Sequence, residues 1–139
     1  NSDGHQDVIY TGFVFPHAFV EISPTVLLNN AAGGFNYAPG FLPTTAVTTR
    51  ELIVEDFNND GANDYFFANH GYDVNPFPGE ADDLALFNPL SGGFDATDWL
   101  QANGHANSAN PSFTHSAATA DVNGDGFKDT RSDDSTRII

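Results

Sequence analysis

Asp56 to Asp64 reads DFNNDGAND, and Asp121 to Asp129 reads DVNGDGFKD; both fit D-x-N-x-D-G-x-x-D without a gap. Alternate residues of such a loop can aim side chains at one centre. Asp56, Asn58, Asp60 and Asp64 then supply oxygen donors, as do Asp121, Asn123, Asp125 and Asp129. Oxygen donors alone suit calcium or magnesium, and a flexible loop of many ligands favours calcium. Gly61 and Gly126 at position 6 permit a sharp turn, and the backbone carbonyls of Ala62 and Phe127 at position 7 are further donors. The opening stretch Asn1 to Asp7, NSDGHQD, fits the pattern from its third position onward, with Asn1, Asp3, His5 and Asp7 in the corresponding places and the first Asp missing.

Solvated Asn-Gly and Asp-Gly turns are the plainer account of these stretches. Three carboxylates within nine residues repel one another without a cation, however, and the arrangement recurs: its central acids, Asp3, Asp60 and Asp125, are spaced by 57 and 65 residues. An EF-hand or dockerin loop is the sharper rival, because its first six positions look alike. It requires an acid at position 12 and a helix beyond. Position 12 is Tyr10, Phe67 and Ser132 in the three copies, and VIYTG and YFFAN read as strands.

A second landmark repeats independently. VLLNNAAGGF from Val26 to Phe35 answers ALFNPLSGGF from Ala85 to Phe94, and the Gly33-Gly34 and Gly92-Gly93 pairs suit hairpin turns. Short β-branched and aromatic runs bounded by Gly, Pro, Asn and Asp predict strands at Val8–Thr11, Thr25–Leu28, Phe35–Tyr37 and Leu52–Val54. Their counterparts fall at Tyr65–Ala68, Leu84–Phe87, near Phe94, and at Ser116–Ala120. That gives an all-β chain of two four-stranded antiparallel units, about 1–60 and about 61–125, within a single domain over 1–139. QANGHANSANPS, Gln101 to Ser112, reads as an inserted surface loop, and a polar tail covers about 130–139. Four-stranded units at this period fit the blades of a propeller.

Composition sets the outer bounds. The 139 residues suit one domain. Nineteen Asp and Glu against four Lys and Arg give a formal charge of -15, which repels a phosphate backbone, so nucleic acid is excluded as a partner. With 40% hydrophobic residues and thirteen Phe the chain can nonetheless build a core. The absence of Cys rules out disulfides and thiolate sites, and no apolar run reaches the roughly 20 residues of a membrane helix.

The chain resembles the FG-GAP/VCBS repeats of calcium-binding β-propellers, which occur in bacterial surface and secreted proteins and are related to the integrin α-chain propeller. VEDFNNDGANDYFFANHG, ATADVNGDGFKDT and LALFNPLSGGFDATDWL carry the likeness, which extends over almost the whole chain. It implies one calcium on Asp56, Asn58, Asp60 and Asp64, a second on Asp121, Asn123, Asp125 and Asp129, and a third, incomplete site on Asn1, Asp3 and Asp7. Such ions are structural, and two of them bring the charge from -15 to -11. A closed propeller needs roughly four to eight blades. Two blades therefore imply an incomplete propeller, either part of a longer repeat protein or one member of a self-associating ring or filament. The polar DTRSDDSTRII predicts that the third loop lacks the supporting strand that YFFAN gives the second.

No other chemistry stands out. His5, His17, His70, His105 and His115 share no metal-type spacing and read as surface or strand-packing residues. Trp99, Tyr72 and the Phe13 to Phe19 segment offer a sugar-stacking surface, though core packing is the simpler account of them. No G-x-S-x-G, H-E-x-x-H or phosphate-binding glycine loop is present, and each well-placed Asp already has a place in a calcium loop. The sequence thus predicts a non-enzymatic, extracellular calcium-binding repeat module with a structural, adhesion or self-assembly role. The alternative is a set of glycan-binding blades from a polysaccharide-processing protein.

Overall fold

Among the described residues, ten strands linked by hydrogen bonds to antiparallel neighbours make up the regular structure. The computed structural model describes residues 1, 3–12, 23–43, 48–71, 75–76, 78–94 and 113–132. In chain order the strands are β1 (Val8–Tyr10), β2 (Thr25–Asn29), β3 (Phe35–Tyr37), β4 (Thr49–Glu55), β5 (Asp64–Asn69), β6 (Asp83–Ala85), β7 (Phe87–Asn88), β8 (Gly93–Phe94), β9 (Ala117–Ala120) and β10 (Asp129–Ser132). Among the described residues there is no helix, so position 12 of each loop falls in β1, β5 or β10 rather than in the exit helix of an EF-hand.

The expected four-stranded units resolve into smaller sheets: β1-β2-β3, β4-β5-β6, β7-β8 and β9-β10. β4 pairs with β5, from Glu55 opposite Asp64 to Thr49 opposite Asn69. The acidic stretch 56–64 is thereby the turn of a hairpin. The predicted strand Leu84–Phe87 is broken at Leu86, with β6 bonded to β5 and β7 bonded to β8. A side chain explains the break: the Phe87 N–H, past the end of the β5–β6 ladder, donates to the Asp64 carboxylate at 2.8 Å instead of to a neighbouring strand.

β10 is a correction to the sequence reading. The third loop does have a strand beyond it, in register with β9 from Asp129 opposite Ala120 to Ser132 opposite Ala117. Main-chain pairing in a tight hairpin needs no apolar run, and Thr130 supplies a β-branched side chain that is 3% exposed. The predicted loop at 101–112 and the residues beyond 132 lie outside the described residues, as do Phe13 to Phe19, Tyr72 and Trp99.

The glycine turns form as expected. Gly33 (φ +86°) and Gly92 (φ +71°) take up the left-handed backbone that a residue with Cβ resists, and Asn30 N–H to Gly34 O and Gly92 N–H to Asn88 O close the β2–β3 and β7–β8 turns at 2.9 Å each.

β5 is the centre of the molecule. Tyr65 and Phe67 point to one side, into a cluster with Val26, Leu42, Ala85 and Phe87 against which Ile9 and Leu28 of the first sheet pack. Phe66 and Ala68 point to the other side, with Phe57, Leu84 and Leu86, where Ala117 of β9 closes the cluster. All six residues of β5 are buried. The sheets are therefore stacked in chain order, with the first on one face of β4-β5-β6 and the β9–β10 hairpin on the other. Phe41, Phe87 and Phe94 meet at ring separations of 5.4 to 6.2 Å along the first of these seams.

Candidate metal centres

Stacking brings the three acidic loops into a row. The Asn59 side-chain amide of the second loop donates to the Gly126 carbonyl of the third at 2.8 Å. A cleft of about 1020 Å³ lies between the first and second loops, with Gly4, His5 and Asp7 on one wall and Gly61, Ala62 and Tyr65 on the other.

Each loop is built on the same hydrogen bonds. The Asn at position 3 accepts from the backbone N–H at position 5: Asp3 to Asn1 at 3.2 Å, Asp60 to Asn58 at 3.0 Å, Asp125 to Asn123 at 2.8 Å. That Asn donates its own NH₂ to the position 5 carboxylate, at 3.0, 3.2 and 3.0 Å in turn. The other oxygen of that carboxylate accepts the N–H of position 7, from His5, Ala62 and Phe127, at 2.9 Å in each case. Asp56 and Asp121 at position 1 accept the N–H of Gly61 and Gly126 at 2.9 and 3.0 Å. Position 6 is left-handed throughout, with φ of +84°, +87° and +91° at Gly4, Gly61 and Gly126. Position 4 repeats the turn at Asn59 and Gly124. Asn tolerates this conformation better than other non-glycine residues do, which accounts for the N-N-D and N-G-D variants of one loop.

The position 9 acids close each loop, and in the first two loops they also tie it to a neighbouring strand. Asp64 accepts from Phe57 N–H at 2.9 Å and from Phe87 N–H at 2.8 Å. Asp129 accepts from Val122 N–H at 2.8 Å, the equivalent of the Phe57 bond. Asp7 accepts from Asn29 N–H at 2.8 Å, the equivalent of the Phe87 bond, and the Asn1 amine lies 3.1 Å from its second oxygen. Asp64 is 0% exposed, and burial pushes its carboxyl above the ordinary range, with the charges of Asp60 and Asp56 pushing the same way. At the exposed end of the first loop the opposite holds, since the His5 N–H lowers the Asp3 pKa.

These donors match the chemistry of a hard cation. Among the described residues no Lys, Arg or His forms an ion pair with a carboxylate of the second or third loop, which leaves Asp64 buried among amides without a counter-charge. Among the same residues no three acidic, thiol or imidazole side chains converge tightly enough to hold a metal as they stand. In this arrangement backbone N–H groups and the Asn amides satisfy the carboxylates.

At the opposite end of the β4–β5 hairpin lies a buried polar group that the sequence reading missed. Asn69, 0% exposed, accepts from the Thr49 hydroxyl at 2.8 Å, donates to Ala81 O at 2.8 Å, and gives its backbone N–H to Asp82 at 2.8 Å. Thr114, also 0% exposed, donates its hydroxyl to Asp82 and its N–H to Asn69 O, both at 3.1 Å. Glu80 accepts from Thr48 N–H at 2.8 Å, and Gly71 N–H donates to the Thr48 hydroxyl at 2.6 Å. These contacts fasten Gly71, Glu80 to Asp82 and the approach to β9 onto the ends of β4 and β5. Buried Thr, Asn and Asp at strand ends carry no periodic signal that would have announced them.

No protein family, curated protein or solved structure matches the chain.

Proposed function

We propose that the chain is a calcium-stabilised repeat module of the FG-GAP/VCBS type, whose stacked sheets are blades of an incomplete propeller and whose role is structural or adhesive at or beyond the cell surface. The observation that carries the reading is the recurrence of one hydrogen-bond pattern in three acidic loops, each serving a strand of a different sheet. In the first and second loops the position 9 acid also reaches a neighbouring strand, at Asn29 and Phe87, which local turn chemistry alone would not repeat.

Calcium at the second loop would be held by Asp56, Asn58, Asp60, Asp64 and the Ala62 carbonyl, and at the third by Asp121, Asn123, Asp125, Asp129 and the Phe127 carbonyl. The ion supplies the positive charge that these loops lack. Asp64, already anchored to Phe57 and Phe87, would transmit occupancy to the junction of β5 with β7.

Self-association belongs to the same proposal. Among the described residues β1 and β10 are edge strands of their sheets, and Val8, Tyr10, Phe35 and Tyr37 on the first sheet are 43 to 65% exposed. Calorimetry with and without chelator tests the calcium reading. Each site filled at a hundred times its Kd adds about 2.7 kcal/mol, so two sites correspond to roughly 5 kcal/mol. A melting temperature unmoved by EDTA would reject calcium, and a strictly monomeric mass by light scattering in calcium would reject the assembly.

A further inference from the structure

Two imidazoles meet at the end of the β4–β5 hairpin remote from its loop. His70 follows β5 and His115 precedes β9; their Nε2 atoms are 3.1 Å apart, with the ring planes at 81°. His70 is 4% exposed, edge-on to Phe113, whereas His115 is exposed. The His70 Nδ1 lies 3.3 Å from the Gly71 carbonyl oxygen. A carbonyl only accepts, so Nδ1 carries the proton and Nε2 turns its lone pair toward His115. A backbone carbonyl on the far nitrogen is the usual way a metal-binding His is oriented.

The spacing agrees. Two imidazole nitrogens about 2.0–2.1 Å from one ion stand about 3.4 Å apart at a tetrahedral angle and about 2.9 Å apart at a right angle. The observed 3.1 Å falls between. Both backbones are already fixed, His70 by its N–H to Thr48 O at 3.0 Å and Thr114, next to His115, by its N–H to Asn69 O at 3.1 Å. Little ordering remains to oppose binding.

We infer that His70 and His115 form a two-imidazole site for a borderline divalent cation such as Cu²⁺, Ni²⁺ or Zn²⁺, with water completing the shell. Nitrogen donors select these ions over calcium, so the site is separate from the acidic loops in place and in chemistry. Binding needs lone pairs on both Nε2 atoms. The His115 proton therefore passes from Nε2 to Nδ1 as the ion enters, and both rings stay neutral. The bound ion would join the β4-β5-β6 sheet to the β9–β10 hairpin across 45 residues of chain.

The test is titration of the full chain, held in excess calcium, with Ni²⁺, Zn²⁺ and Cu²⁺, followed by calorimetry, by thermal melting and, for Cu²⁺, by electron paramagnetic resonance. The wild type is expected to gain about 5 °C at a metal concentration ten times Kd, and to show two nitrogens coupled to copper. His115→Ala removes an exposed side chain and should abolish both effects while leaving the calcium-dependent melting temperature in place. His70→Gln should do the same; if it does not fold, His115→Ala remains decisive. Binding that survives His115→Ala, or a wild type with no thermal response, would overturn the site and leave a plain imidazole–imidazole hydrogen bond. Neither result touches the calcium loops, whose test is the response to EDTA.

Discussion

Replacing Asp64 by Ala in chelator isolates what the loop carboxylate does without any ion. The side chain is 0% exposed and accepts Phe57 N–H at 2.9 Å and Phe87 N–H at 2.8 Å. Its removal strands two buried donors, each worth roughly 1–3 kcal/mol. Relief from burying an uncompensated charge offsets part of this, since burial already disfavours the charged carboxylate. The expected net loss is about 2–4 kcal/mol, or roughly 10 °C in melting temperature for a domain of this size. Urea unfolding followed by far-ultraviolet circular dichroism in EDTA measures it. Asp64→Asn keeps one acceptor, so its loss in chelator should be smaller, yet calcium should no longer stabilise it. A loss below about 1 kcal/mol for Asp64→Ala would mean that the carboxylate does not fasten the loop to β7, and the account of the strand break at Leu86 would go with it.

Acidity should act on the same group in a defined direction. Its folded pKa is raised above 3.8, so its contribution to stability is full below that value and is lost as pH climbs through the folded pKa. In chelator the wild type should therefore gain on Asp64→Asn as pH falls from neutral toward 4, by denaturant melts at each pH; a constant difference would contradict the burial of the charge. Gly71→Ala should be far worse than Gly61→Ala, although both glycines have positive φ: a Cβ on Gly71 would meet Pro78 O and Gly79 C at 2.5 Å, whereas one on Gly61 meets nothing within 4 Å. Thermal melts should place Gly61→Ala near a 1–2 kcal/mol loss and Gly71→Ala well beyond it. Phe67→Ala, in a fully buried position, should cost about 3–5 kcal/mol, while Tyr37→Ala, 65% exposed, should stay within about 0.5 kcal/mol.

Much of the strand map was legible because β1 to β9 carry the β-branched and aromatic residues, or the glycine turns, that mark strands and hairpins. Sheet membership was less so. A repeat period reveals spacing but not phase, and the pairing of β4 with β5 follows from the loop between them rather than from either strand's own residues. Leu84–Phe87 reads as one apolar run; what divides it is a carboxylate twenty-three residues away in the chain. β10 was hidden because its pairing is main-chain, and among its described side chains Thr130 alone is buried. The turns themselves were legible, since the hydrogen bonds within them link residues two to seven apart. The His70–His115 contact spans 45 residues and leaves no spacing signature at all.

The burial of β5 on both faces has a further consequence, for solubility. DYFFAN is six residues with a single charge and a strong preference for extended structure, the composition of segments that zip into cross-β stacks when exposed. Asp64 stands at its head as a gatekeeper, so neutralising that acid would weaken the fold and remove the charge that discourages aggregation in the same stroke. Any condition that peels away either covering layer should thus yield precipitate before it yields a dispersed unfolded chain.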